Sequence, residues 1–266
     1  MLISGARVLL TGASGGIGHA LAHALAARGA RLVLTGRRAD TLTALASALG
    51  AQDTQTLVAD LSDRHGVEEL VRAAGPVDIL VANAALPASG QVLGYTPDQI
   101  DRALDVNLRA PVLLARLLAP RMVAAGRGHL AMIGSISGRA ASPSASLYNA
   151  AKFGLRGFAL GLRQDLHPSG VGVSLIQPGF VRDAGMFADT GVTAPRGTGT
   201  VAPAHVAAKA LHAIERNRAE MNVAPLSLRL GSAVGGLFPA LAESVQRRAV
   251  NPETLQHIAD AQLHKR

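Results

Sequence analysis

The sequence predicts an α/β fold: one domain over residues 1–266, with a doubly wound parallel sheet and helices on both faces. Three observations predict it. Short β-rich runs alternate with longer Ala- and Leu-rich helical stretches through residue 176. The runs are almost continuously apolar, as strands covered on both sides must be. The 266 residues, 48% apolar and 17% charged, are enough for one large core.

The elements follow in order. Residues 7–10 form a strand, followed by a glycine-rich turn and a helix over 16–28. A second strand at 31–35 leads into a helix at 39–49, and a third at 54–59 into a helix at 63–73. The fourth strand is 78–82, and a long helix spans 97–125. Residues 128–133 are the fifth strand, 145–167 a helix and 171–176 the sixth strand. Helical crossovers between such strands are right-handed and make the sheet parallel. After Gly179 the rhythm changes. Residues 183–201 are rich in Gly, Thr and Pro without periodicity and read as a substrate loop or lid. A helix at 203–216 and an edge strand at 220–223 precede a helical extension over 225–266, with helices at 225–242 and 252–264.

Composition excludes several function classes. The chain has no Cys, so it has neither a disulfide scaffold nor a Cys-ligated zinc site. Its nine His form no H-E-x-x-H helix, and no metal is expected. The net charge of +8 comes mostly from Arg spread along the chain without a block, which reads as a solvated surface and not a nucleic-acid footprint. The N-terminus lacks the basic and long apolar regions of a signal peptide, and no run reaches the ~18 apolar residues of a membrane span. A cytoplasmic protein is expected.

The first strand ends in T-G-A-S-G-G-I-G, from Thr11 to Gly18. Glycines here let the backbone approach a pyrophosphate, and the following helix start offers free N–H groups and a positive dipole end. Gly12, Gly16 and Gly18 fit one known spacing, and Gly12, Gly15 and Gly18 fit another, so the loop alone does not separate two branches of a Rossmann-like superfamily. The second strand ends Thr35-Gly36-Arg37-Arg38. No carboxylate stands at the strand end to select NAD. A guanidinium there holds a 2′-phosphate bidentately, which favours NADP(H) over NAD(H), with Arg37 first and Arg38 second. Asp60 ends the third strand, placed to accept from an adenine amino group.

Tyr148 and Lys152 are four residues apart and share a helix face. Ser135 lies thirteen residues before Tyr148, just past an apolar strand, and Asn107 lies farther upstream. Taken together, the Thr11–Gly18 loop, Asp60, Ala82-Asn83-Ala84-Ala85, Asn107, Ser135, Tyr148, Lys152 and Pro178-Gly179 resemble the short-chain dehydrogenase/reductase family in its compact form. The resemblance covers about residues 5 to 225. It implies hydride transfer between a nicotinamide and a carbonyl or secondary alcohol. Tyr148 is then the general acid or base, with a phenol pKa lowered from ~10 by the Lys152 ammonium and the oxidised nicotinamide. Lys152 also bonds the nicotinamide ribose, and Ser135 polarises the substrate oxygen. Asn107 holds a water that relays protons to Lys152, or else is a locally bonded helix kink. The implied cofactor site comprises Gly12, Ser14, Gly15, Gly16, Ile17, Gly18, Arg37, Arg38, Asp60, Leu61, Asn83, Ala84, Tyr148, Lys152, Pro178, Gly179 and Val181.

Three departures stand out. Ala85 replaces a usual Gly, Gly134 replaces a usual Ser, and Asp183 occupies the place of a Thr that bonds the carboxamide. Phe180, Met186 and Phe187 suggest an apolar substrate. The family's long helices imply a homodimer or homotetramer. The apolar stretch 224–241 and the nearby Arg229, Arg247 and Arg248 permit a weak membrane-surface contact without demanding it. A non-enzymatic NADP-binding sensor or scaffold is the alternative, but it would not need Ser135, Tyr148 and Lys152 together. An epimerase or dehydratase of the longer branch would need more chain after residue 176.

Overall fold

The computed structural model describes residues 1–50, 53–194, 198–249 and 252–263. Seven strands form one parallel sheet in the order β3-β2-β1-β4-β5-β6-β7. They are β1 (Arg7–Thr11), β2 (Arg31–Gly36), β3 (Thr54–Val58), β4 (Ile79–Ala82), β5 (Gly128–Ile133), β6 (Val171–Pro178) and β7 (Glu220–Val223). The winding direction reverses between β1 and β4. A crevice opens at such a switch point beyond the carboxyl ends of the strands.

Alternation along each strand feeds two cores. Val8, Leu10, Leu32, Leu34, Ile79 and Val81 face one side. There they meet Leu21 and Leu25 of α1 (Gly16–Ala26), Leu42 of α2 (Ala39–Leu49), and Val206 and Leu211 of α7 (Pro203–Glu215). Leu9, Val33 and Leu80 face the other side. They pack on Val67 and Leu70 of α3 (Arg64–Ala74), Leu114 and Leu118 of α5 (Ala110–Ala124), and Leu155 of α6 (Ser146–Asp165). Each side chain of this kind contributes roughly 1.5–3 kcal/mol on full burial. Side-chain caps fix two helix starts: Asp63 accepts from the His65 and Gly66 N–H groups, and Thr96 with Gln99 forms a capping box on α4 (Pro97–Leu104).

Two predicted helices are divided. The 97–125 stretch is α4, a π turn over Asp105–Arg109, and α5. The Ala110 N–H bonds back to the Asp105 carbonyl, five residues away. Pro111 has no N–H to give the Asn107 carbonyl, so the α ladder cannot close there and one residue is accommodated as a bulge. The 225–242 stretch is α8 (Leu226–Leu237) and α9 (Pro239–Ala249), separated by Phe238 at φ −127, ψ 71. A residue before proline is pushed out of the helical region, and Pro239 does this to Phe238. The last helix, α10 (Pro252–Gln262), ends slightly before the expected boundary; residue 264 lies outside the described residues.

The predicted lid is pinned at both ends by a bridge between Val181 and Val201 and carries one 3-10 turn, Ala188–Thr190. Residues 195–197 of it lie outside the described residues. Among the described residues no helix is long and apolar enough to cross a membrane, and no group of three His, Asp or Glu could hold a metal ion.

Candidate active site

The glycine loop leaves β1 at the switch point. Gly12 has φ +65, and a Cβ on it would lie 2.7 Å from the Ala84 Cα. Gly18 packs so closely on the Gly12 carbonyl that any side chain would collide with it. The loop is tied to the end of β4 by Thr11, whose hydroxyl accepts from the Asn83 and Ala84 N–H groups, both at 3.0 Å. The Asn83 amide donates back to the Thr11 and Gly12 carbonyls at 3.1 Å. No side chain caps the start of α1, so its first turn faces the crevice with backbone alone.

A cleft of about 800 Å³ runs from this loop across the ends of the strands. Its lining includes Gly12, Ser14, Gly15, Gly16, Ile17 and Gly18, then Arg37, Arg38, Asp60 and Leu61 at one end. Asn83 and Ala84 line its middle, with Pro178, Gly179 and Val181 opposite, and Ser135, Tyr148 and Lys152 complete it. Of the predicted catalytic and cofactor-binding residues, Asn107 alone is absent from the lining, where its neighbour Val106 appears instead; of the predicted substrate residues, Met186 and Phe187 line the cleft and Phe180 does not. Arg38 donates to the Ser14 carbonyl at 3.3 Å, drawing the second strand's end onto the glycine loop. Burial raises the Asp60 carboxyl, but bonds from the Ser62 N–H and hydroxyl, with Arg102 and Arg37 nearby, outweigh it and hold the group below its usual range.

At the other end, β5 delivers Ser135 and α6 delivers Tyr148 and Lys152 one turn apart. Ser135 accepts from the Ser137 N–H at 3.1 Å and hydrogen-bonds the Tyr148 phenol. Lys152 is only 3% exposed; its ammonium donates to the Ile133 carbonyl at 3.2 Å and sits 5.6 Å from the centre of the Tyr148 ring. Gly138 permits this approach of α6, because a Cβ there would come within 2.6 Å of the Lys152 carbonyl oxygen. Burial lowers the Lys152 pKa to about 8. Burial also raises the Tyr148 phenol, more than the Ser135 bond lowers it. The protein's own groups therefore hold the phenol protonated, because desolvation exceeds the effect of the Ser135 bond; the expected lowering rests in part on the charge of the oxidised nicotinamide, which is not among these groups.

Asn107 sits in the π turn, 1% exposed. Its side chain accepts from the Leu86 N–H at 2.8 Å and donates to the Leu86 carbonyl at 2.9 Å. Both polar ends of the amide are thus spent on the segment after β4. Pro111 has no N–H to donate to the Asn107 backbone carbonyl as an α-helical residue would.

The lid closes the cleft with Ala184, Gly185, Met186, Phe187 and Asp189, and the Phe180 and Phe187 rings are 4.7 Å apart. Asp183 is not in this lining. It is exposed, has φ +71, and its carboxylate pairs with Arg182 at 3.3 Å. The residue in the Thr position therefore turns away, and Val181 and Ala184 face the cleft in its place. Sequence reasoning missed Thr11, Leu86 and Pro87. Thr11 was visible as the first residue of the glycine motif; the other two carry no signal apart from their distance after β4.

The family model described as short chain dehydrogenase matches residues 6–193. The chain is 33% identical over 256 residues to Ketoacyl reductase HetN of Nostoc sp., covering 92% of this chain and 89% of that one. It is 31% identical to a Dehydrogenase/reductase SDR family protein 7-like of Anopheles gambiae, over 90% of this chain and 81% of the relative. Among solved structures, a short-chain dehydrogenase from Sphingobium yanoikuyae in complex with NADPH superimposes with a TM-score of 0.76 at 30% identity, covering 91% of this chain and 94% of that one. A metagenomic short-chain oxidoreductase in complex with NADP gives 0.70 at 32% identity, over 84% and 98%.

Proposed function

The chain belongs to the short-chain dehydrogenase/reductase family, and from that premise we propose an NADP(H)-dependent enzyme that interconverts an apolar ketone or aldehyde and its alcohol. One observation carries the reading: Ser135, Tyr148 and Lys152 meet at one end of a single cleft that has Arg37 and Arg38 at its other end. The cleft fits a dinucleotide. Its glycine cradle excludes side chains at Gly12 and Gly18, and the adjoining helix start is uncapped. NADPH and NADP in the two structural neighbours support the choice of cofactor.

When bound, the nicotinamide cofactor supplies or accepts the hydride. Arg37, with Arg38 beside it, holds the 2′-phosphate, and Asp60 accepts from the adenine. The loop from Gly12 to Gly18, including Ser14, Gly15, Gly16 and Ile17, holds the pyrophosphate. Leu61, Asn83 and Ala84 flank the adenosine side, and Pro178, Gly179 and Val181 the nicotinamide side. Ser135 donates to the substrate oxygen. Tyr148, kept protonated by its burial, gives that oxygen a proton during reduction and takes it back during oxidation. Lys152, charged below about pH 8, bonds the ribose and stabilises the phenolate left behind. The Asn107 backbone carbonyl holds a water on the proton path to Lys152. Leu86, Pro87, Met186 and Phe187 give the substrate end an apolar wall. On α6, Phe153 is 41% exposed and the space beside Gly157 and Gly161 is open, which suits pairing of this helix across a two-fold axis.

Turnover of a ketone panel with NADPH, followed by absorbance, tests the assignment. Tyr148→Phe lowers kcat by about 10²–10⁴ while NADPH still binds. Undiminished turnover by Tyr148→Phe overturns the reading.

A further inference from the structure

We propose that α8 and α9 form a docking face that seats this protein on an anionic membrane surface. The packing of α8 is inside out. Its buried positions are Ser232 and Gly235, and Gly236 lies so close to the chain that a Cβ would be 2.6 Å from the Arg139 carbonyl oxygen. Its large residues point outward. Leu226, Leu230, Val234 and Leu237 recur at helical spacing on one face and are 65%, 59%, 47% and 75% exposed. Past the Phe238 corner, Leu241 and Val245 extend the exposed apolar surface along α9. Half of the large exposed apolar side chains among the described residues lie between Leu226 and Val245. A helix that merely covered the core would bury them.

Charge identifies the occupant. Residues 221–242 contain no Asp or Glu, and Arg229 is exposed beside the apolar stripe. Glu243, the first acidic residue after them, is paired with Arg247 at 2.5 Å. The whole chain carries +8. A second copy would bring a face with the same excess of positive charge and no carboxylate opposite Arg229. Anionic headgroups over an acyl boundary meet both the stripe and the charge, and such helices lie in the interface plane without spanning it. The face also sits beside the catalytic end of the cleft. α8 rests on Arg139 and Ala140, just past the Ser135 turn, and Leu228 covers Gly179.

Co-sedimentation of the full chain with vesicles tests this. Wild type binds phosphatidylglycerol/phosphatidylcholine vesicles at least about tenfold more tightly than pure phosphatidylcholine, and added salt narrows the gap. Arg229→Glu weakens binding to the anionic vesicles about fivefold or more. Leu230→Glu/Leu237→Glu weakens it at least about tenfold, with melting temperature and sedimentation coefficient unchanged. If the double variant does not fold, Leu230→Ser gives the same direction with a smaller loss. Absence of wild-type binding overturns the proposal. So does a fall in oligomeric state on substitution of these leucines, which would make the face a subunit contact.

Discussion

Gly16 and Ala184 are in contact: a Cβ on Gly16 would stand 2.5 Å from the Ala184 methyl and 2.8 Å from the Gly185 backbone nitrogen. The lid therefore rests directly on the glycine loop, and the missing side chain at position 16 is the space it rests in. Gly16→Ala forces the 184–185 backbone to lift, since α1 is anchored by Leu21 and Leu25 in the core. The expected result is a loss of about tenfold or more in NADPH affinity, roughly 1.4 kcal/mol, with little change in melting temperature. Fluorescence titration beside a thermal melt checks it. Unchanged affinity would mean that the lid and the loop are not coupled.

Arg37 approaches Asp60 closely enough to lower its pKa, and both line the same end of the cleft. A hydrogen bond to a charged group contributes about 1.5–3 kcal/mol. Arg37→Ala therefore weakens NADPH binding by about 10- to 100-fold and leaves NADH within about twofold. Arg38→Ala has a smaller effect, because that guanidinium already serves the Ser14 carbonyl. Parallel titrations with both cofactors decide it. Equal losses for NADPH and NADH remove the 2′-phosphate assignment.

The glycine loop, Arg37 and the Tyr148–Lys152 pair are set by short spacings along one strand end or one helix turn, so the sequence carries them. Where tertiary contacts decide, it does not. The Asn107 amide is committed to Leu86, twenty-one residues back in the chain. Nothing in the local sequence names that partner. The divided helices are a middle case. Pro111 and Pro239 were both visible, but apolar periodicity continued across them and concealed the π turn and the Phe238 corner. Asp183 stands four residues past Gly179, a spacing that carries no sign of the left-handed backbone that turns its side chain outward.

His129 is 1% exposed in β5, with Nε2 2.9 Å from the Ser174 hydroxyl. Burial first, then the N-terminal ammonium and Arg163, lower its pKa from 6.5 to about 3. The sign follows from proton counting. Between about pH 6.5 and 3 the unfolded chain binds a proton at this residue and the folded one does not. Stability therefore falls as pH falls through that window, by up to about 1.4 kcal/mol per unit from this group. Urea unfolding at pH 7, 5.5 and 4.5 should show the loss. His129→Gln should show a correspondingly flatter slope over the same window. An identical slope in the variant would place the acid sensitivity elsewhere.

Gln262 and Ala259 of α10 are each 5% exposed, and the Gln262 amide donates to the Met186 carbonyl at 3.0 Å. Met186 and Phe187 are lid residues that line the cleft. The C-terminal helix thus holds the lid from outside, while Ser135, Tyr148 and Lys152 are held by β5 and α6. The two functions should separate in kinetics. Gln262→Ala removes the donor and leaves a carbonyl unpaired, a loss of about 1–3 kcal/mol. The closed lid is then less populated. KM for the carbonyl substrate should rise several-fold, with kcat changing less, and proteolysis within residues 183–194 should quicken. Gln262→Glu should be worse than Ala, because it sets a carboxylate against the carbonyl oxygen. Equal KM and equal proteolysis in wild type and Gln262→Ala would show that α10 does not restrain the lid.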